Sequence, residues 1–208
     1  MLEAHALACE RGDARLFSGL AFVLGAGGLL RVRGPNGSGK TSLLRILAGL
    51  TRAAAGEVRW RGERIDVLRD AYGQEMLFIG HAPAVKDELT VDENLEFSAR
   101  LSNLDGSAQA RRAALERLGV ARRANLAARH LSQGQRRRTA LARLALAARV
   151  PLWILDEPFT ALDADAIECV RSLAAEHLAA GGSVVLTSHQ EVDIGAGTAR
   201  DIRLGDAG

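Results

Sequence analysis

The spacing of apolar positions changes several times along the chain, and each change marks an element. Residues 16–24 and 29–33 are short apolar runs joined by a glycine turn at Gly25, Gly27 and Gly28, the pattern of two strands. A glycine-rich loop and a predicted helix over residues 40–49 follow, and residues 56–60 and 76–80 are short enough to be strands. From Thr90 the period turns helical. Thr90-Val91-Asp92-Glu93 reads as a capping box, in which the Thr90 hydroxyl and the Glu93 carboxylate satisfy each other's orphan backbone donors. A second amphipathic helix covers residues 111–118 and stops at Gly119. Beyond Gln135 an Ala/Leu/Arg helix is predicted to about residue 149, then strand 152–156, helix 164–180, a turn at Gly181-Gly182 and strand 183–187. Strand and helix alternate at both ends with a helical stretch between them, which predicts an α/β sheet core carrying a small helical subdomain. The expected division is one domain over residues 1–208, with residues 1–80 and 132–208 as its core and about 81–131 as the helical part. No internal repeat or low-complexity linker interrupts it.

Composition narrows the partners. A compact chain of 208 residues buries about 70% of its unfolded surface, enough for a substantial core. Its 27 basic and 25 acidic side chains nearly cancel, so there is no global field of the kind that binds nucleic acid unselectively. Cys9 and Cys169 are far apart and in no CxxC or Cys/His pattern, which argues for a reducing compartment, against zinc or a disulfide framework, and for two buried apolar-like thiols. No stretch approaches the roughly 20 apolar residues that span a bilayer. The best run, residues 20–30, is short and broken by glycines, and the amino terminus lacks the basic-then-apolar order of a secretory signal. Work on a membrane would therefore be done at its surface, with another chain's helices.

Gly34-Pro35-Asn36-Gly37-Ser38-Gly39-Lys40-Thr41 matches GxxxxGK[ST] in full, with an apolar strand leading in and a helix leading out. Glycines let the backbone fold into an amide-lined nest, and the helix points its positive end at the phosphates. Lys40 is placed to reach the β and γ phosphates, Thr41 to offer a hydroxyl to magnesium, and Ser42 to add a further contact. Alone, such a loop equally suits a nucleoside kinase or a GTPase. Asp156 and Glu157 end the buried run Leu152-Trp153-Ile154-Leu155 and so stand at the carboxyl end of the sheet. Asp156 is the candidate magnesium ligand and Glu157 the candidate general base, a group that a hydrolase needs. An isolated Asp-Glu-Pro turn would merely end a strand.

Leu131-Ser132-Gln133-Gly134-Gln135 changes the picture, because here the chain resembles the ATP-binding cassette family, whose LSGGQ signature it matches except at Gln133. The resemblance spans essentially the whole chain. It extends to Ala161-Leu162-Asp163, similar to the D-loop, and to His189 in Leu186-Thr187-Ser188-His189, similar to the switch histidine. It implies a P-loop NTPase fold with a mixed sheet core, an antiparallel β subdomain and the helical subdomain, and it implies ATP and Mg2+ as cofactors. It also implies a head-to-tail homodimer in which Ser132, Gly134 and Gln135 of one chain meet the γ-phosphate held by Lys40 of the other. Two positions depart from the family pattern. Arg11 falls where an aromatic residue usually stacks on adenine, a task that a guanidinium plane can share. His81 falls at the Q-loop glutamine; an imidazole titrates near neutrality, so ATP hydrolysis coupled through it is expected to depend on pH between about 6 and 7.

Within the family, the run from Leu29 to Arg45, Gly80-His81-Ala82-Pro83 and Asp87-Glu88-Leu89-Thr90 resemble the haem-exporter ATP-binding subunits of bacterial cytochrome c biogenesis. That likeness implies separate integral membrane subunits, a peripheral place on the cytoplasmic face of the inner membrane, and haem export or haem-chaperone release. A similar subunit serving a lipid or drug exporter is the alternative. His5, His130 and His177 form no haem-ligand pattern. A cassette-type chromosome protein would need a long coiled-coil insert between Lys40 and Ser132, which is absent, and a clamp without turnover would lack Glu157. No nucleic-acid partner is expected: Arg136-Arg137-Arg138 carries no interleaved aromatics and is read as a solvated helix face. Lys86, Asp87 and Glu88 are the expected contacts to the membrane subunit.

Overall fold

The computed structural model describes residues 1–12, 14–189, 192–195 and 198–205. Three strands open the chain, β1 (Leu2–Arg11), β2 (Ala14–Leu24) and β3 (Gly28–Arg33), followed by α1 (Lys40–Leu47), β4 (Ala55–Trp60) and β5 (Glu63–Arg64). Short helices α2 (Ile65–Leu68) and α3 (Asp70–Gln74) lead to β6 (Met76–Ile79), then α4 (Val91–Leu101), α5 (Ala108–Arg117), α6 (Gln133–Leu141) and α7 (Arg143–Leu146). The remainder is β7 (Leu152–Leu155), α8 (Ala164–Ala179), β8 (Ser183–Thr187) and β9 (Thr198–Arg203).

These strands build two sheets. One, in the order β2-β1-β4-β5, is antiparallel at every pairing; the other, β6-β7-β8-β3-β9, is parallel at every pairing. β7 and β8 are buried along their whole length, as strands covered on both faces must be. Alternate residues of β7 feed two cores. Trp153 and Leu155 pack with Val91, Leu95, Leu115 and Leu141 from the helices, whereas Leu152 and Ile154 pack with Leu43, Leu44 and Leu47 of α1 and Phe17 and Phe22 of the antiparallel sheet. The parallel sheet is thus a wall with α4 to α7 on one side and α1 with the antiparallel sheet on the other.

Most expected elements are present, and the differences have local causes. The expected hairpin of residues 16–24 and 29–33 is split: β2 pairs with β1, and β3 lies in the other sheet. No strand was expected over β1, because its alternation slips at Ala6, whose φ of 48° marks a bulge where the register to both neighbours shifts. Gly56 faces that bulge, and a side chain there would lie 2.3 Å from the His5 carbonyl oxygen. β9 was also unforeseen, since five of its six residues are exposed at the sheet edge and it offers no apolar run. The single helix expected to residue 149 is broken at Ala142 into α6 and α7. Cys9 is buried as expected. Cys169 is only half-buried; its thiol donates to the Arg117 carbonyl at 2.9 Å, and burial raises its pKa.

The capping box at α4 is formed: Glu93 N–H donates to the Thr90 hydroxyl at 3.2 Å, and Thr90 N–H donates to Glu93 Oε2 at 2.7 Å. Thr90→Ala is therefore expected to lower the unfolding free energy by about 1 kcal/mol, read from urea melts as a lower midpoint at constant slope. An unmoved midpoint would show that the box adds nothing to the fold.

Candidate active site

In the parallel sheet Val32 lies beside Thr187, Leu186 beside Leu155, and Leu155 beside Ile79. The segments leaving β3, β8, β7 and β6 therefore emerge along one edge: residues 34–39, Ser188-His189, Asp156-Glu157 and Gly80-His81. These are the carboxyl ends of parallel strands, where open α/β sheets bind ligands.

The loop after β3 is held by glycines at positive φ: Gly34 at 147°, Gly37 at 85° and Gly39 at 96°. A side chain at Gly34 would come within 2.4 Å of the Leu204 carbonyl oxygen. Lys40 opens α1 and is 9% exposed, and its ammonium donates to the carbonyls of Gly34 at 2.8 Å and Pro35 at 3.0 Å. Those carbonyls hold the positive charge over the loop. Thr41 is exposed and Ser42 half-buried on the same first turn, while Pro35 and Asn36 form the exposed rim and Ser38 is buried behind them. β2 lies against the loop, since a side chain at Gly39 would be 3.1 Å from Leu16 Cβ. Arg11, exposed, ends the strand paired with β2.

Asp156 is 1% exposed. Its Oδ1 accepts a hydrogen bond from the Thr187 hydroxyl at 2.8 Å, and that hydroxyl accepts one from the Glu157 N–H at 2.9 Å. Thr187 is thus a site residue that the sequence reading did not single out. The signal was a buried hydroxyl at the carboxyl end of the strand, after the apolar run Val184-Val185-Leu186, a group that must find a partner. Oδ2 of Asp156 is buried with no hydrogen-bond partner, an anionic oxygen whose burial a cation would offset. Glu157 has φ 50°, uncommon outside glycine, and its carboxylate meets His189: the backbone N–H of His189 donates to Oε2 at 3.2 Å, and Nε2 lies 3.4 Å from Oε1. The His189 ring is otherwise exposed, as is His81.

Ser132 caps α6, its hydroxyl accepting from Gln135 N–H at 3.3 Å while Gln135 Oε1 accepts from Ser132 N–H at 3.1 Å. Gly134 lies so close to the D-loop segment that a Cβ would be 3.0 Å from the Ala161 carbonyl. Among the described hydrogen bonds and ion pairs, none joins Ser132, Gly134 or Gln135 to residues 34–41 of the same chain.

The arginine run is not a solvated face. Successive helix residues point about 100° apart, so three arginines cannot share one side. Arg136 pairs with Asp87 and Arg138 with Asp163, but Arg137 points inward and is 3% exposed. Its Nη1 donates to the carbonyls of Gly80 at 2.9 Å and His81 at 3.2 Å, and its Nη2 to those of Asp156 at 3.0 Å and Glu157 at 2.7 Å. Burial lowers its pKa, and the Asp156 and Glu157 carboxylates oppose that shift. Sequence reading missed it because strand ends that need donors become visible only once the sheet is built.

A glycine nest opening a helix and a buried carboxylate pair on the same sheet edge define a P-loop nucleoside triphosphatase, and the capped α6 with the separate antiparallel sheet narrows it to the cassette type. The family profile described as ABC transporter matches residues 17–160. The chain is 50% identical over 205 residues to the cytochrome c biogenesis ATP-binding export protein CcmA of Dechloromonas aromatica (strain RCB), covering 99% of this chain and 100% of the relative. It is 47% identical over 204 residues to the protein of the same name from Escherichia coli (strain K12), covering 98% and 96%. A solved dimeric ATP-binding cassette in a post-hydrolysis state with ADP and Pi matches with TM-score 0.78 at 27% identity, covering 99% of this chain and 95% of that one. The chain belongs to the ABC transporter family and is an ATP-binding, ATP-hydrolysing subunit of that family.

Thr187→Val keeps the shape of the side chain but leaves Asp156 Oδ1 and the Glu157 N–H without their shared partner. Stability is expected to fall by about 1–3 kcal/mol, while Thr187→Ser stays close to the parent in the same denaturant titration. Equal stability of the valine and serine variants would remove Thr187 from this role.

Proposed function

We propose that two copies of this chain, bound to separate integral membrane subunits, hydrolyse MgATP to drive haem export or release of a haem chaperone in cytochrome c biogenesis. The observation that carries the substrate is the end-to-end likeness to proteins named cytochrome c biogenesis ATP-binding export protein. In this reading the chain is one cassette on the cytoplasmic face of the inner membrane, with residues 1–80 and 132–208 as catalytic core and about 81–131 as helical arm. Among the described residues no helix is long and apolar enough to cross a membrane.

Gly34 to Ser42 would cradle the phosphates, with Lys40 exchanging the loop carbonyls for the β and γ oxygens. Thr41 and Asp156 suit a magnesium ion, since the buried Oδ2 of Asp156 has no other partner. Such an ion, when bound, neutralises phosphate charge. Glu157, oriented by His189, takes a proton from the attacking water, whose oxygen bonds to the γ-phosphorus as the bond to the ADP oxygen breaks. His189 and the signature residues Ser132, Gly134 and Gln135 of the opposite chain contact the γ-phosphate. The last three start a helix whose N-terminal dipole favours negative charge. Arg11 would stack on the base. His81, on the segment after β6, stands where the nucleotide edge meets the membrane partner. That partner's seat is the groove of about 400 Å³ lined by Pro83, Val85, Lys86, Phe97, Leu101 and Arg143, beside Asp87 and Glu88.

Two experiments separate the layers of this reading. A strain deleted for the chain should lose covalent haem staining of its c-type cytochromes and regain it with the wild-type copy, but not with Glu157→Gln, in which loss of the base lowers turnover by about 100-fold or more. Normal staining in the deletion strain would remove the haem reading and leave the ATPase. For the shared pocket, a Lys40→Ala chain paired with a Ser132→Arg chain keeps one pocket whole, and turnover should return although each variant alone is inactive. Mixed pairs as inactive as the parents would sink the head-to-tail site.

A further inference from the structure

Arg137 lies five residues after Ser132 on α6, about 7.5 Å along the axis. Its fork ends on four main-chain carbonyls belonging to two different strand exits, Gly80 and His81 after β6 and Asp156 and Glu157 after β7. A buried guanidinium is a costly fastening, and Nε is buried without a partner. Apolar packing could hold a helix against a sheet edge at lower cost. What it could not do is fix the direction of individual peptide groups, which charge-assisted hydrogen bonds from a planar fork do. The peptide most in need of fixing is that of Glu157, whose left-handed φ of 50° is held against its own preference. The shortest of the four bonds, at 2.7 Å, goes to the Glu157 carbonyl. Gly134 packed on Ala161 and Arg138 paired with Asp163 tie the same helix to the adjoining segment, so α6 has several grips on this edge.

We infer that Arg137 is a positioning residue: it sets the peptide that aims Glu157, and so links the orientation of the Ser132 helix to the carboxylate at the pocket of its own chain. The inference rests on the shared-pocket reading, in which one chain's Ser132 serves the partner's nucleotide and its Glu157 serves its own. Arg137 would then be the connection, inside one chain, between the two pockets.

The mixed pair tests this directly, in membranes that hold the assembled transporter. One chain carries Lys40→Ala, the other Ser132→Arg, and the whole pocket uses Glu157 of the Ser132→Arg chain. Arg137→Gln offers two donors where four carbonyls wait. Added to the Ser132→Arg chain, it should lower kcat about tenfold, equivalent to about 1.4 kcal/mol of barrier, with KM for ATP changed less than about threefold. Added instead to the Lys40→Ala chain, whose Glu157 faces a dead pocket, it should leave turnover within about twofold of the mixed pair. Equal losses from both placements would mean a general structural role, and no loss from the first would mean no role; either overturns the inference. If the mixed pair itself regains nothing, the shared pocket fails on its own account. The kcat and KM of Arg137→Gln and Arg137→Lys homodimers then decide, with a kcat loss that lysine does not restore upholding positioning and full rescue by lysine refuting it. Arg137→Lys, which keeps the charge and the stem, also replaces the glutamine variant throughout if the latter does not assemble.

Discussion

Two neighbouring carboxylates held out of water at the end of an apolar strand are the constraint around which this fold is arranged. Asp156 and Glu157 follow the wholly buried β7 and are themselves almost inaccessible. Burying like charges side by side is expensive, so each oxygen and each adjoining peptide needs a partner supplied by something else. The partners come from the end of β8 and from α6: the Thr187 hydroxyl on β8, the His189 N–H and ring just beyond it, and the Arg137 fork from α6. Among the described residues, two of these oxygens accept no hydrogen bond: Glu157 Oε1, which lies 3.4 Å from His189 Nε2, and Oδ2 of Asp156, the position that a cation would complete.

Parallel pairing makes this convergence possible. Because β6, β7, β8 and β3 run in one direction and in matched register, four loops leave the sheet on the same side, and the glycine nest with Lys40 is brought to the same edge as the carboxylates. Side-chain alternation along β7 divides the hydrophobic residues between two cores, which clamps the strand from both faces and leaves its last residues little freedom. A rigid edge of this kind suits chemistry that depends on placement more than on covalent participation.

Much of the fold could be read in the chain because the deciding interactions are local. The buried runs of β7 and β8, the capping box at Thr90 and the glycine loop before Lys40 each declare themselves within a few residues. The elements that escaped notice lack that local signal. β1 hides its alternation behind a bulge at Ala6, β9 is an exposed edge strand held by pairing to β3, and the helix after Gln135 breaks at a plain alanine. The site divides the same way. Lys40, Asp156, Glu157 and Ser132 stand in recognisable strings, whereas Thr187 and Arg137 act through partners distant in sequence, 31 residues in one case and between 19 and 57 in the other.

By itself, then, the amino-acid order determined that a phosphate loop, a carboxylate-tipped strand and a capped helix exist, since each follows from backbone conformation and short-range hydrogen bonding. Only the folded chain decided that a hydroxyl on β8 would bind Asp156 and that the middle arginine of a basic run would turn inward to four carbonyls. Those carbonyls become neighbours only when β6 and β7 pair, and a helix residue has an inside only after there is a sheet for it to face.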